Sequence, residues 1–121
     1  MSSIRSAGLL LLFEAATFIM ASATHFGAFP EGYGHTKAGT AEAVIGAALL
    51  LGLALTWLPS IGLWAFIGAQ VFATFGVLVG LFTIAVGVGP RTVLDIAYHV
   101  VILAVLGGAL ALALRNPTGQ G

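Results

Sequence analysis

The chain lacks cysteine and is poor in charged side chains. Only 7% of its 121 residues are charged, against about 25% in an average soluble domain. So little charge cannot cover a surface that faces water, which argues against a soluble globular domain. The absence of cysteine excludes disulfides, thiolate metal sites and cysteine catalysis. Four basic residues balance four acidic ones, so there is no basic patch for nucleic acid.

Hydrophobic residues make up 60% of the chain and concentrate in four stretches. The stretches cover about residues 9–28, 41–58, 61–86 and 93–114. Each is close to the ~20 residues that a helix needs to cross a bilayer. None alternates with the period of a barrel strand. We therefore predict an all-α fold, in which residues 1–121 form one antiparallel bundle of four transmembrane helices.

The prolines mark the limits of these stretches, because proline lacks an N–H and clashes with the preceding helical turn. They are Pro30, Pro59, Pro90 and Pro117. Short connections then place both termini and the Pro59 turn on one side of the membrane, here named side A. The loops near residues 29–40 and 87–92 lie on the opposite side, side B.

Membrane orientation has little support from Lys and Arg, since each side carries two of them. Those of side A, Arg5 and Arg115, are not opposed by acidic loop residues. We therefore predict a multi-pass protein of the cell membrane with cytoplasmic termini. Ala21-Ser22-Ala23 resembles a signal-peptide cleavage site, but Glu14 interrupts the apolar region before it, and we expect no cleavage.

Ionisable side chains in hydrocarbon are costly and mark functional sites by default. Four of them fall near the side B ends of three predicted helices: His25, Glu42, Asp95 and His99. His99 shares a helix face with Asp95, and Arg91 precedes Asp95 by the same spacing, so we expect these three to form one stripe. We predict that the four candidates line one polar pocket, which Tyr98 and the loop residue His35 approach.

The residue types of this pocket leave several kinds of chemistry open. Histidine and carboxylate are ligands of iron, zinc, copper and manganese. Two histidines on different helices also suit axial haem ligation, although His25 and His99 differ in predicted depth by about 6 Å. A His–Asp pair also suits proton transfer beside a quinone or another substrate.

Helix capping offers a purely structural alternative for the same carboxylates. Thr92 and Asp95 have the spacing of a capping box at the start of the fourth helix. Thr40 has the position of a cap for the second helix, whose dipole would favour Glu42 in its first turn.

Glu14 is separate from this group, about 16 Å from His25 along the same helix. It is a candidate proton carrier, or else the partner of Arg5 or Arg115. We expect Gln70 to form an interhelical hydrogen bond. Two pairs of small residues predict close helix packing: Gly76 with Gly80, and Ala104 with Gly108.

The chain resembles the DoxX-like group of small bacterial four-helix membrane proteins. The resemblance rests on length, Gly-rich helices and the segments His25-Phe26-Gly27, Ala41-Glu42-Ala43-Val44-Ile45-Gly46 and Asp95-Ile96-Ala97-Tyr98-His99. It implies a redox-linked role, since some of that group are associated with quinone-linked sulfur oxidation. Glu14 alone looks like the glutamate of the small multidrug resistance family, which couples proton and cation exchange.

Three functional hypotheses follow. The leading one is a side B pocket of His25, Glu42, Asp95 and His99 that binds a metal, a quinone or another small ligand. The second is a proton-coupled transporter that uses Glu14. That transporter would act as a homo-oligomer, a dimer. The third is an accessory subunit without chemistry, which docks on a larger membrane complex.

Overall fold

The computed structural model describes residues 2–28 and 34–115, which form four α-helices and no strand. The helices are α1 (Ser2–His25), α2 (Thr36–Leu55), α3 (Gly62–Ala85) and α4 (Val93–Arg115). Helices that follow each other in the chain pack side by side. The predicted all-α antiparallel bundle is therefore confirmed.

The surface of the bundle has the polarity expected for lipid. All four helices are long and apolar enough to cross a membrane. Large apolar side chains such as Leu9, Phe75 and Val93 face outwards, whereas polar side chains such as Gln70 lie inside. A chain with an apolar exterior and a partly polar interior is a multi-pass membrane protein.

Glycines end the two helices that arrive at side B. Gly27 and Gly87 have φ values of 86° and 81°, a left-handed conformation that suits glycine. After α1, the Ala28 N–H donates to the Ala23 carbonyl over 2.9 Å. After α3, the Val88 N–H donates to Thr83 over the same distance. Both ends are Schellman motifs, which satisfy the last carbonyls and stop each helix abruptly.

The start of α2 differs from the prediction. The helix begins at Thr36 rather than near residue 41, so Lys37 belongs to it and not to the loop. His35 is the cap, since its Nδ1 accepts from the Ala38 N–H. Thr40 lies inside the helix and donates to the Thr36 carbonyl, so its predicted capping role is wrong.

The predicted role of proline holds where the structure describes it. Pro59 lies in the turn between α2 and α3, and Pro90 precedes α4. Pro30 and Pro117 lie outside the described residues.

The paired glycines of α3 serve packing inside the bundle. A Cβ added to Gly76 would lie 2.6 Å from Ile45 of α2, and one added to Gly80 would lie 2.6 Å from Nε2 of His99. This close approach confirms the use predicted for the motif. Gly108 of α4 instead has open space around its Cα.

Candidate functional site

His25 is the last residue of α1 and lies at the centre of the site. The helix stops here because Gly27 closes it, and the chain then turns back so that the His35 N–H donates to the His25 carbonyl over 2.7 Å. Only 3% of His25 is exposed. The turn therefore fixes an imidazole in the interior, near the side B end.

Both ring nitrogens of His25 meet carboxylate oxygens from other helices. Nδ1 lies 2.6 Å from Oε2 of Glu42 on α2, and Nε2 lies 3.1 Å from Oδ1 of Asp95 on α4. The two carboxylates are as well buried as the imidazole, with 4% and 3% exposed. We name these three residues the His25 cluster.

The start of α4 holds Asp95 in this position. Its Oδ2 accepts hydrogen bonds from the Thr92 N–H and the Thr92 hydroxyl, and the Asp95 N–H donates to Thr92 Oγ1. This is the predicted capping box, and it leaves the other carboxylate oxygen for His25. Capping and membership of the cluster are thus compatible.

Close packing of α1 on α2 brings Glu42 to His25. The Ser22 hydroxyl donates to the Gly39 carbonyl over 2.7 Å. A Cβ on Gly39 would lie 3.1 Å from the Phe26 ring and 3.2 Å from the Ser22 carbonyl, so glycine permits this approach. Since α2 begins at Thr36, Glu42 lies in its second turn and not in its first. The explanation of Glu42 as a first-turn residue favoured by the helix dipole is therefore wrong.

Proton counting constrains the charge of the His25 cluster. A nitrogen and an oxygen at these distances need one proton between them. Two such contacts are satisfied by an imidazolium between two carboxylates, or by a neutral imidazole with one protonated carboxyl. Both arrangements carry one net negative charge and differ only in where a proton lies.

His99 lies one turn further along α4 and does not join the His25 cluster directly. Its Nδ1–H donates to the Asp95 carbonyl over 2.7 Å. Its ring packs on Gly80 of α3, where there is no side chain to displace it. The Nδ1 proton leaves Nε2 of a neutral ring as an acceptor.

Two cavities adjoin the site. The side B cavity, of about 200 Å³, lies among α2, α3 and α4. Its lining includes Lys37, Glu42, Gly80, Thr83, Pro90 and His99. The lateral cleft, of about 390 Å³, lies between α1 and α4. Its lining includes Thr17, Met20, His25, Leu94, Asp95 and Tyr98.

The lateral cleft opens on the apolar outer surface of the bundle. Met20 and Leu94 on its rim are 64% and 68% exposed. Tyr98 on its wall packs edge-on against Phe18, with ring centroids 6.1 Å apart. The Tyr98 hydroxyl is buried and has no hydrogen-bond partner in the described part of the chain.

Metal and haem ligation gain no support from this geometry. Within residues 2–28 and 34–115, no group of three or more His, Asp or Glu side chains is arranged to hold a metal ion. Both nitrogens of His25 already face carboxylates, and Nδ1 of His99 is bonded to a carbonyl. Since both nitrogens of His25 are engaged, His25 has none to pair with Nε2 of His99 as the two axial ligands of a haem.

Arg91 departs from the predicted stripe. Its guanidinium turns back to the end of α3, where it donates to the Ile84 and Ala85 carbonyls over 3.0 and 3.2 Å. Arginine near a helix C-terminus satisfies carbonyls that have no partner within the helix. Arg91 therefore closes α3 and does not continue the line of Asp95 and His99.

Glu14 lies elsewhere in the interior, paired with Gln70. The Gln70 amide donates to Glu14 Oε2 over 2.5 Å, and both side chains are fully buried. This confirms the interhelical hydrogen bond predicted for Gln70. Arg5 and Arg115 are exposed, so the predicted ion pair with either is wrong.

Several residues that build the site are not among the four predicted site residues, and of these only His35 is predicted to approach the pocket. His35 caps α2 and also contacts the Val88 carbonyl through Nε2 at 3.3 Å, which links the start of α2 to the loop before α4. Ser22 and Gly39 hold α1 against α2. The pairing of a small hydroxyl with a glycine on the next helix is a usable sequence signal.

Comparison of the chain with protein-family models, with curated sequences and with solved structures finds no significant match. The resemblance to the DoxX-like group therefore stays a prediction.

Proposed function

We propose that this membrane protein binds a lipophilic small molecule in the lateral cleft by its hydrogen-bonding head group. The observation that carries the proposal is the Tyr98 hydroxyl, which is buried without a described partner. Burying a polar group unpaired costs about 1–3 kcal/mol. Tyr98 lines the lateral cleft, and rotation of its ring towards a head group that accepts from the hydroxyl would remove that cost.

The cleft favours a molecule that dissolves in the bilayer. Its rim of Met20 and Leu94 faces the apolar exterior, and its volume of about 390 Å³ lies within the range of small-ligand sites. Polar groups occur at its side B end, where Asp95 and His25 belong to the lining. A quinone-type ring, with oxygens at its edge and an apolar tail, suits this distribution of polar and apolar walls.

The proposal retains part of the redox-linked role that the DoxX-like resemblance implies. It concerns binding of the ring and exchange of a proton with it. The same proposal includes a cell-membrane location with cytoplasmic termini. Glu14 lines neither cavity, so no observation favours transport through Glu14 as a second function.

A benzoquinone that carries a decyl chain is a suitable probe. Nanodiscs with and without the protein are equilibrated with the probe and isolated, and bound probe is measured by its ultraviolet absorbance. Protein-free discs give the amount that partitions into lipid. We expect saturable binding by the wild type. Tyr98→Phe should lower the affinity about five- to tenfold, the change that corresponds to the loss of one hydrogen bond.

A pair of alanines provides the control. Ala21 lines the lateral cleft, whereas Ala47 is exposed on α2 away from both cavities. Ala21→Leu should abolish saturable binding, and Ala47→Leu should leave it intact. Equal binding by both variants, or only non-saturable uptake by the wild type, would refute the proposal.

A further inference from the structure

The two ends of the His25 cluster face different cavities. Glu42 lines the side B cavity, and Asp95 lines the lateral cleft. His25 lies between them, with one ring nitrogen directed to each carboxylate. The cluster is therefore a hydrogen-bonded bridge from one cavity to the other.

The two cavities differ in what they reach. The lining of the side B cavity includes Lys37, Val88 and Pro90, which belong to the side B ends of the helices and their loop. The lateral cleft opens on apolar surface that lipid would cover. We expect lipid to exclude bulk water from a ligand in the cleft, so that its protons pass through the protein.

We infer that the Glu42–His25–Asp95 chain conducts protons between the side B aqueous phase and the lateral cleft. The inference rests on the proposed function only for the ligand that exchanges the proton in the cleft. Its other parts, the side B cavity and the three bonded side chains, stand on the geometry alone.

The transfer balances as follows. The cluster starts with a Glu42 that water in the side B cavity has protonated, a neutral imidazole whose proton is on Nε2, and an ionised Asp95. Glu42 passes its proton to Nδ1 of His25 while the Nε2 proton passes to Asp95, and Asp95 delivers that proton to an anionic oxygen of the ligand. The imidazole ends with its proton on Nδ1. A proton that returns from the ligand by the reverse steps restores the first tautomer.

His99 strengthens the side B end of this route. Its Nδ1 proton is held by the Asp95 carbonyl, so Nε2 is an acceptor on the lining of the cavity that also contains Glu42. A base and a carboxylate on one small cavity provide polar partners for ordered water. Such water is the source from which Glu42 takes its proton.

Exchange of the His25 ring protons with water tests the aqueous half of the route without any ligand. The protein is labelled with ¹⁵N-histidine in nanodiscs, and exchange is measured by magnetisation transfer from water. Ala41 lines the side B cavity and Ala47 lies outside it, although both are exposed on α2. We expect Ala41→Leu to slow exchange at His25 about tenfold, and Ala47→Leu to leave it unchanged.

The relay itself is tested by Glu42→Gln, which keeps a hydrogen-bonding side chain but cannot pass a proton. We expect exchange at His25 to slow about tenfold or more, while affinity for the decyl benzoquinone changes by less than about threefold. Glu14→Gln makes the same chemical change away from both cavities and should alter neither quantity.

The outcomes separate this inference from the proposed function. If the His25 ring protons exchange with water at the wild-type rate in both Ala41→Leu and Glu42→Gln, the proton route is refuted, whether or not the decyl benzoquinone binds. If exchange slows as expected but no variant or wild type binds the probe saturably, the route stands and the proposed ligand is wrong.

Discussion

At the scale of residues, His25 explains why the site forms where it does. Imidazole is the neutral side chain that offers one donor and one acceptor on opposite edges of a small ring. It can therefore join a carboxylate on α2 to another on α4 within one layer of the bundle. Arginine, which only donates and keeps its protons in proteins, could hold both carboxylates but could not exchange a proton between them.

Asp95 completes the capping box of α4 and also contacts His25, and substitutions should separate these two roles. Asp95→Ala removes the carboxylate of the capping box and the carboxylate that faces Nε2 of His25, so we expect a loss of about 2–4 kcal/mol in the free energy of unfolding. Asp95→Asn keeps an acceptor for Thr92 and should lose clearly less. Denaturant titration in detergent, followed by circular dichroism, measures both. Equal losses in the two variants would contradict the double role.

Contacts between individual residues were predicted correctly where both residues lie within one turn of the same helix. The Thr92–Asp95 capping box follows from a spacing of three, and it is present. Prediction failed for Arg91 and Glu14. The partners of Arg91 are two carbonyls at the end of α3, and the partner of Glu14 is an amide on α3. Neither helix periodicity nor charge pairing reveals them.

At the scale of elements, the helix ends decide which side chains share a layer. Gly27 stops α1 immediately after His25, and the early start of α2 moves Glu42 one turn deeper. Hydrophobicity alone extended α1 to residue 28 and delayed α2 to residue 41. The glycine stop signal was readable in the sequence. The histidine cap was not readable, because histidine is an uncommon cap and His35 is also held by its contact with the Val88 carbonyl.

The packing of the His99 ring on Gly80 of α3 leads to a prediction about helix packing. Gly80→Ala should push the imidazole away, because the new Cβ would lie 2.6 Å from Nε2. We expect this variant to lose about 1–3 kcal/mol, the usual cost of overpacking. Gly68 lies in the same helix with open space around it, so Gly68→Ala should be neutral or slightly stabilising.

Unfolding in detergent compares the two glycine variants directly. The ¹⁵N signal of His99 should also shift in Gly80→Ala and remain in place in Gly68→Ala. An unchanged His99 signal with unchanged stability in Gly80→Ala would mean that the close packing of α3 on α4 is wrong.

At the scale of the whole molecule, the bundle followed from composition and length. Four apolar stretches of spanning length leave little choice of fold once strands are excluded. The site was only half predictable. Depth along each helix indicated that His25, Glu42 and Asp95 share a level, but rotation about the helix axes decides that they meet and that His99 does not. A sequence without amphipathic contrast carries little information about that rotation.

The absence of cysteine makes the topology directly testable. Ser60 lies in the exposed turn on side A, and Val88 lies in the exposed loop on side B. In intact cells, a membrane-impermeant maleimide should label the Val88→Cys variant and spare Ser60→Cys until the membrane is opened. Labelling of both from the same side would contradict the four crossings, and the reverse pattern would contradict only the cytoplasmic termini.

The most direct test of the central claim is the response of the three histidines to the decyl benzoquinone. The protein contains only three, so a ¹⁵N-histidine spectrum in nanodiscs resolves each ring. His25 lines the lateral cleft, whereas His35 and His99 line the side B cavity. Saturating probe should move the His25 ring signals most, and Tyr98→Phe should require more probe for the same change. A spectrum in which His25 stays in place would contradict the account.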